Sequence, residues 1–361
     1  MKKKPNYKLR RRVAKIVVVV VILLIILLIN LNSIMRIPIY LEYSDHRDYV
    51  SAFFDSGYTN DETKEIMKEL KKNDIFKKLD DDYIKALHNK GYKNKTINFI
   101  LTHFTRLEIT KMLNKDYNKD LEDYLDIPLF NYEHYERYLE YQSDYKDLTL
   151  DQVVTRVELD LDKRAYDTPV EETDPNSLTA LVNKHRFISK DYVPDDLVDM
   201  SDEYANNMFG VKSIRKETYE QFKKMADAAR KEGIQFLAES GYRDYEYQDT
   251  IYLEYVNEYG EIRANEFAAR AGHSEHQLGT TLDISNIYTI EEGDPEYNWI
   301  DQNGYKYGFI FRYKTKFEDI TGYKAEGWHI RYVGVDVATD IHKKGISFDE
   351  YWLKYIKNNS K

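Results

Sequence analysis

The chain has 361 residues, 42% hydrophobic and 32% charged: enough apolar material for a buried core, and too much length for one ordinary domain. It contains 33 tyrosines and no cysteine, which excludes disulfides, thiolate metal sites, a cysteine nucleophile and a lipidated N-terminal cysteine. Residues 1–36 carry nine Lys/Arg and no acid; the remainder holds 44 bases against 63 acids, a balance of −19 that makes the body a poor partner for nucleic-acid phosphates.

Residues 1–15 read as a basic tail. Between Lys15 and Arg36 lie 20 uncharged residues, and Ile16 to Ile29 are all Ile, Val or Leu. Twenty helical residues rise about 30 Å, the thickness of a bilayer core, so 16–35 is expected to be a transmembrane helix. A cleaved signal peptide is the alternative, but Asn30-Leu31-Asn32-Ser33-Ile34-Met35 offers no small-x-small cleavage site. A helix buried in the core is another, and the basic cluster directly before the run argues against it. The basic tail predicts a cytoplasmic N-terminus and an extracytoplasmic body, a single-pass protein of the cell membrane.

Residues 36–163 read as a mainly helical, acidic spacer or interaction region whose partner the sequence does not name. Helical spacing appears in Ile66-Leu70-Ile75-Leu79 and in Tyr83-Ile84-Leu87. Ser56-Gly57-Tyr58-Thr59 and Lys90-Gly91-Tyr92-Lys93 form a weak repeat, each expected to open a helix after a Gly turn. Val153-Val154-Thr155-Arg156-Val157-Glu158-Leu159 alternates like a strand. Residues 164–176 are turn-rich and read as a linker. From 177 to 361 helices and strands intersperse without βαβ regularity, predicting an α+β domain. Its helices are expected over Thr218–Gly233 and Asp244–Tyr259, and its strands near Ile234–Leu237, Thr280–Ile284, Gly308–Tyr313 and Trp328–Val333.

Phosphate loops, dinucleotide fingerprints, the Gly-x-Ser-x-Gly elbow and His-Glu-x-x-His are absent. What remains is a concentration of His, Asp and Glu in Gly272–Ile284 and in Glu326–Gly334. On a strand, His329, Arg331 and Val333 share one face, as do Thr281 and Asp283. His276 stands at an odd offset from Asp283, and Gly279 between them can supply the turn that realigns the two. His276, Asp283 and His329 can then converge as an open zinc site, with Glu326 as the base beside it. The bland alternative is two half-buried strands with surface histidines and a salt-bridged aspartate.

The stretch Ser274-x-His276-x6-Asp283, followed by Glu326-x-Trp328-His329 and Arg331-Tyr332-Val333-Gly334, resembles the VanY-type D-alanyl-D-alanine carboxypeptidases. Ser240-Gly241-Tyr242-Arg243 with Gln248, Leu181-Val182-Asn183-Lys184, and Tyr307-Gly308-Phe309-Ile310-x-Arg312-Tyr313 extend the likeness over about residues 176–355. The resemblance implies a zinc DD-peptidase (hedgehog-like) fold with a central antiparallel sheet. It implies His276, Asp283 and His329 as zinc ligands, Glu326 as general base and acid, and Arg243 as a cation facing a substrate carbonyl or carboxylate. Ser274, Gln248 and Tyr242 are implied to line the substrate site, and peptidoglycan stem peptides to be the substrate. This chain departs from the family at Ala271, at Thr280-Thr281 and at Gly327, where a Pro is usual. Gly327 is expected to loosen the backbone between Glu326 and His329. An LD-carboxypeptidase or endopeptidase on the same fold, and a non-catalytic wall-binding scaffold, are the rival readings.

Overall fold

The computed structural model describes residues 127–206 and 212–357 continuously, and parts of residues 31–126, chiefly 31–44, 85–93, 106–114 and 120–125. The chain divides into two compact units, residues 1–126 and 127–361. In the first, α1 (Leu31–Glu42) buries Ile39 in a cluster with Tyr43, Val50, Phe54 and Met67. Two short helices follow, α2 (Arg106–Leu113) and α3 (Asp120–Tyr124). Gly91, at φ 105°, turns the chain after the helical residues 85–90.

The transmembrane helix expected over 16–35 requires correction. Leu31 to Met35 belong to α1, which runs on to Glu42 and contains Pro38 and the charged Arg36; residues 16–30 lie outside the described residues. Among the described residues, no helix is long and apolar enough to cross a membrane. The single-pass membrane localisation drawn from that helix falls with it. Residues 56–58 of the expected repeat, the series Ile66-Leu70-Ile75-Leu79, and Ile84 also lie outside the described residues.

In the second unit, α4 (Tyr135–Asp144) precedes α5 (Leu150–Glu158). The strand expected over 153–159 is therefore a helix. Leu150, Val153, Val154 and Val157 follow the helical spacing i, i+3, i+4, i+7, and Val153 to Val157 are buried. Thr149 starts the helix with a reciprocal cap: its hydroxyl accepts from the Gln152 amide, and the Gln152 side chain accepts from the Thr149 amide at 2.9 Å. Two small ladders follow. β1 (Val170–Glu171) pairs in parallel with β2 (Arg186–Phe187), and β3 (Leu197–Asp199) pairs antiparallel with β4 (Ser213–Arg215).

The central sheet is built around α6 (Lys216–Lys231), whose Phe222, Met225, Ala226 and Ala229 form one buried stripe. After it come β5 (Leu237–Ser240), α7 (Tyr245–Tyr259), α8 (Glu261–Phe267), β6 (Thr281–Ser285) and α9 (Pro295–Asn303). The unit ends with β7 (Phe309–Phe311), α10 (Glu318–Thr321), β8 (His329–Tyr332), α11 (Val335–Lys344) and α12 (Phe348–Tyr351). The strand order is β5-β6-β8-β7, antiparallel throughout, so this part is α+β with the expected central antiparallel sheet. Leu282, Ile284, Ile330 and Tyr332 point into one core with Phe222 and Met225. Because side chains alternate along a strand, Asp283 and His329 must then emerge on the opposite face.

Candidate metal centre

Two of the three candidate ligands are set by ladder register. Asp283 on β6 lies directly opposite His329 on β8, and residues opposite each other in an antiparallel pair share a face. The third, His276, comes from a 3-10 turn over Glu275–Leu278. Ser274 caps that turn, its hydroxyl accepting from the His276 amide at 3.3 Å. Gly279 ends the turn at φ 66°, a left-handed conformation that favours glycine, and a Cβ there would sit 2.9 Å from Arg215 Cγ. This brings the chain from the turn into β6 with His276 over the same face as Asp283.

The protonation pattern follows from the outer partners of each ring. His276 Nδ1 is 2.7 Å from the Gly241 carbonyl, which can only accept, so Nδ1 carries the proton and Nε2 presents a lone pair. His329 Nε2 is 3.1 Å from Glu275 Oε2, which leaves Nδ1 facing inward. His276 Nε2 and His329 Nδ1 approach Asp283 Oδ1 at 3.3 and 3.4 Å, and one ligand atom from each residue lies within 4.8 Å of the others. Asp283 Oδ1 is buried and has no hydrogen-bond partner. A buried carboxylate oxygen that faces two imidazole nitrogens with no hydrogen bond made to it is costly alone, and it fits a divalent cation. Two nitrogens and one carboxylate oxygen, with room for a further ligand, are the donor set of an open tetrahedral zinc site.

Charge around this point is strongly perturbed. Burial alone would raise the Asp283 carboxyl, but His276 and Arg243 hold it well below its ordinary value. Glu326 is pushed up to about 7, mainly by burial and further by Asp283, although His329 and Arg243 oppose the shift. Its carboxylate is 3.3 Å from His329 Nδ1. Burial depresses His329, but Asp283, Glu275 and Glu326 together raise it to about 9. A cation among these groups would displace that proton and favour ionised Glu326.

A cavity of about 160 Å³ opens on the centre. Arg243, Gln248, Ser274, Asp283, Glu326 and His329 all line it. Arg243 donates from Nε to Ser240 Oγ at 2.9 Å and from Nη2 to Asp283 Oδ2. Gln248 donates to the Ala269 carbonyl at 2.8 Å, and its Oε1 is buried without a partner. Tyr242 is not among the lining residues; its amide donates to the Ser213 carbonyl, and its hydroxyl is buried unpaired. Gly327 does not loosen its segment. A Cβ there would lie within 2.7 Å of the backbone at Ile290, Glu291 and Glu292, so glycine is required by close packing.

Sequence reasoning missed the groups behind the ligands. Glu275, wholly buried, joins His329 to Arg331 Nη1 at 2.7 Å and Arg312 Nη1 at 2.6 Å. Arg312 in turn grips Asp349 of α12 through two bonds of 2.8 and 2.9 Å. Two carboxylates and two guanidiniums thus compensate each other beneath the site. Tyr313 and Tyr323 also line the cavity, and Tyr323 Oη lies 3.0 Å from Tyr166 Oη. The Lys184 ammonium is 4.3 Å from the Tyr323 ring centre, and burial draws its pKa down to about 8. The only advance signal for Glu275 was its place beside His276, in a protein where a ligating histidine needs an outer acceptor.

The VanY family, D-alanyl-D-alanine carboxypeptidase, matches residues 211–335. YodJ of Bacillus subtilis (strain 168), which carries a carboxypeptidase name, is 40% identical over 191 residues, 51% of this chain and 70% of its own length. Among solved structures, the LdcB LD-carboxypeptidase is 38% identical, covering 53% of this chain and 92% of that one, with a TM-score of 0.49. A vancomycin-resistance D,D-pentapeptidase VanY, solved as a mutant with Zn(II), is 35% identical, covering 49% of this chain and 98% of that one, with a TM-score of 0.43. The match to the family profile and the identity sustained over most of YodJ agree with the motifs read from the sequence: this chain belongs to the VanY D-alanyl-D-alanine carboxypeptidase family.

Proposed function

We propose that the protein is a zinc carboxypeptidase that removes the terminal D-alanine from peptidoglycan stem peptides ending in D-Ala-D-Ala. The observation that carries this reading is the unpaired Asp283 Oδ1, buried between His276 Nε2 and His329 Nδ1 and beside the protonatable Glu326. His276, Asp283 and His329 would hold the metal. When bound, zinc supplies Lewis acidity and makes water a competent nucleophile near neutral pH.

The chain's own groups do the rest. Glu326, with a pKa drawn towards neutrality by burial, takes a proton from the attacking water and returns it to the departing amine nitrogen. Arg243 stands beside Asp283 and opposes negative charge as it develops on the scissile carbonyl oxygen, or pairs with the substrate's terminal carboxylate. Gln248 Oε1, buried and unpaired at the cavity wall, can accept from a substrate amide. Glu275 fixes the tautomer and orientation of His329.

The test is to incubate the purified, zinc-loaded chain with muropeptides ending in D-Ala-D-Ala, and separately with tetrapeptides, and to identify products by mass spectrometry. Loss of one alanine from the pentapeptide is the expected result. Trimming confined to the tetrapeptide would reassign the protein as an LD-carboxypeptidase. Intact substrates with a metal-replete chain would remove the hydrolase reading.

A further inference from the structure

Of the residues lining the catalytic cavity, only Tyr255 and Phe267 are exposed, at 36% and 37%. The cavity therefore opens beside the hairpin formed by α7 and α8, which turns at Gly260 with φ 81°. That turn brings a row of side chains to the opening. The Tyr255 and Tyr259 rings are 5.9 Å apart, and the Arg263 guanidinium lies 5.5 Å from the Tyr259 ring centre and 5.7 Å from that of Phe267. Tyr259 is 45% exposed.

Arg263 is the unusual member of this row. The hairpin is rich in acids, with Glu254, Glu258, Glu261 and Glu266, yet among the described residues Arg263 makes no ion pair and no hydrogen bond. Glu261 is instead taken by Arg270 at 2.8 Å. Two aromatic faces hold the Arg263 guanidinium in place, which lowers the entropy cost of pairing it, while its five donors stay free. In a chain of net charge −10, an unpaired guanidinium resting against two rings at the mouth of a cleft offers an anion a cationic contact that its acidic neighbours do not.

We propose that Arg263, held by Tyr259 and Phe267, forms an outer subsite for a carboxylate on the peptide substrate, located on the N-terminal side of the scissile bond. The proposal rests on the carboxypeptidase reading above. If the substrate's C-terminus is bound next to Arg243 in the interior, the remainder of the peptide must leave through the opening and pass along this row. A planar guanidinium forks onto a carboxylate and gains much less from a carboxamide.

Synthetic peptides with the same C-terminus test this. Each carries one side-chain carboxylate at the second, third or fourth residue before the scissile bond, and each has a carboxamide twin. With the zinc-loaded chain, one carboxylate peptide should have a KM lower than its twin's by about three- to tenfold at low salt, and the gap should narrow as salt rises. In Arg263→Ala that gap should close to within about twofold, while Arg263→Lys keeps part of it. Equal KM values for every pair, or a gap that survives in Arg263→Ala, would overturn the subsite. Binding of the same pairs to the Glu326→Gln variant, followed by calorimetry, separates the two readings. Discrimination in binding without any turnover by the unsubstituted chain would keep the subsite and reject the hydrolase; turnover without discrimination would do the reverse.

Discussion

Glu275 is buried and Glu326 largely so, both beside His329, and their surroundings drive them in opposite directions. Burial would raise each, but Arg312 and Arg331 beside Glu275 hold it well below the usual carboxylate range. Glu326 lacks such a pair and is raised to about 7. One group is therefore a permanent anion that orients a ring, and the other can exchange a proton near neutrality. Replacing Glu326 with Gln should leave zinc content unchanged by elemental analysis and lower kcat by about 10²- to 10⁴-fold. Replacing Glu275 with Gln keeps all three candidate ligands. It should weaken metal affinity by about 10- to 100-fold, measured by competition with a chromophoric chelator. Unchanged affinity would deny Glu275 any part in holding His329. Ladder parity and a glycine between His276 and Asp283 made the convergence of the triad readable, but it was the family resemblance that chose metal ligands over surface histidines and a salt-bridged aspartate. Glu275 was not readable, because nothing in strand periodicity shows that a 3-10 turn will rotate it beneath its neighbour's partner.

At the scale of elements, sequence pattern failed where one residue set satisfied two periods. Val153, Thr155, Val157 and Leu159 alternate, and β-branched side chains favour strands, but Leu150, Val153, Val154 and Val157 also form a helical stripe. The Thr149–Gln152 cap decides for the helix by satisfying amides that a strand would pair elsewhere. Thr149→Ala should therefore cost about 1 kcal/mol in denaturant unfolding, with little effect on turnover. The helices α6 and α7 and the strands β6 and β8 were read nearly in place: α6 carries a buried apolar stripe, Asp244 and Gly260 bound α7, and β6 and β8 are short runs buried on both faces. The expected transmembrane helix rested on residues 16–30 and on the assumption that the apolar stretch ended at Met35. The described helix runs through that boundary to Glu42, and among the described residues no helix is long and apolar enough to cross a membrane.

For the molecule as a whole, the abundant tyrosines have a cost in alkali. Tyr166 is raised to about 12, mainly by burial, and burial is also the leading cause of the upward shifts of Tyr138, Tyr297 and Tyr332. A group whose folded pKa lies above its unfolded value stabilises fully below the unfolded value, here 10.0, and loses that contribution as pH rises through the folded one. Stability should therefore fall from about pH 10 towards 12, with tyrosinate absorbance rising together with the loss of near-ultraviolet circular dichroism. Lys184 acts in the opposite sense. Its folded value near 8 lies below the ordinary 10.5, so it adds stability as pH rises across that interval. Tyr166→Phe should flatten the fall above pH 10, because it deletes one of the groups that causes it.

The buried link from Arg312 to Asp349 sets how short a working piece of this protein can be. Every candidate reactive side chain lies between Arg243 and His329, inside the segment matched to the family. Asp349 lies beyond that segment, and so does Asn183, whose side-chain amide donates to Asp349 at 3.1 Å. A truncation to residues 211–335 would keep the whole catalytic inventory but remove Asp349, leaving the buried Arg312 and Arg331 to share the single carboxylate of Glu275, a defect worth about 3–5 kcal/mol. Such a fragment should be recovered insoluble, whereas one spanning residues 177–357 retains the buried anchors at both of its ends.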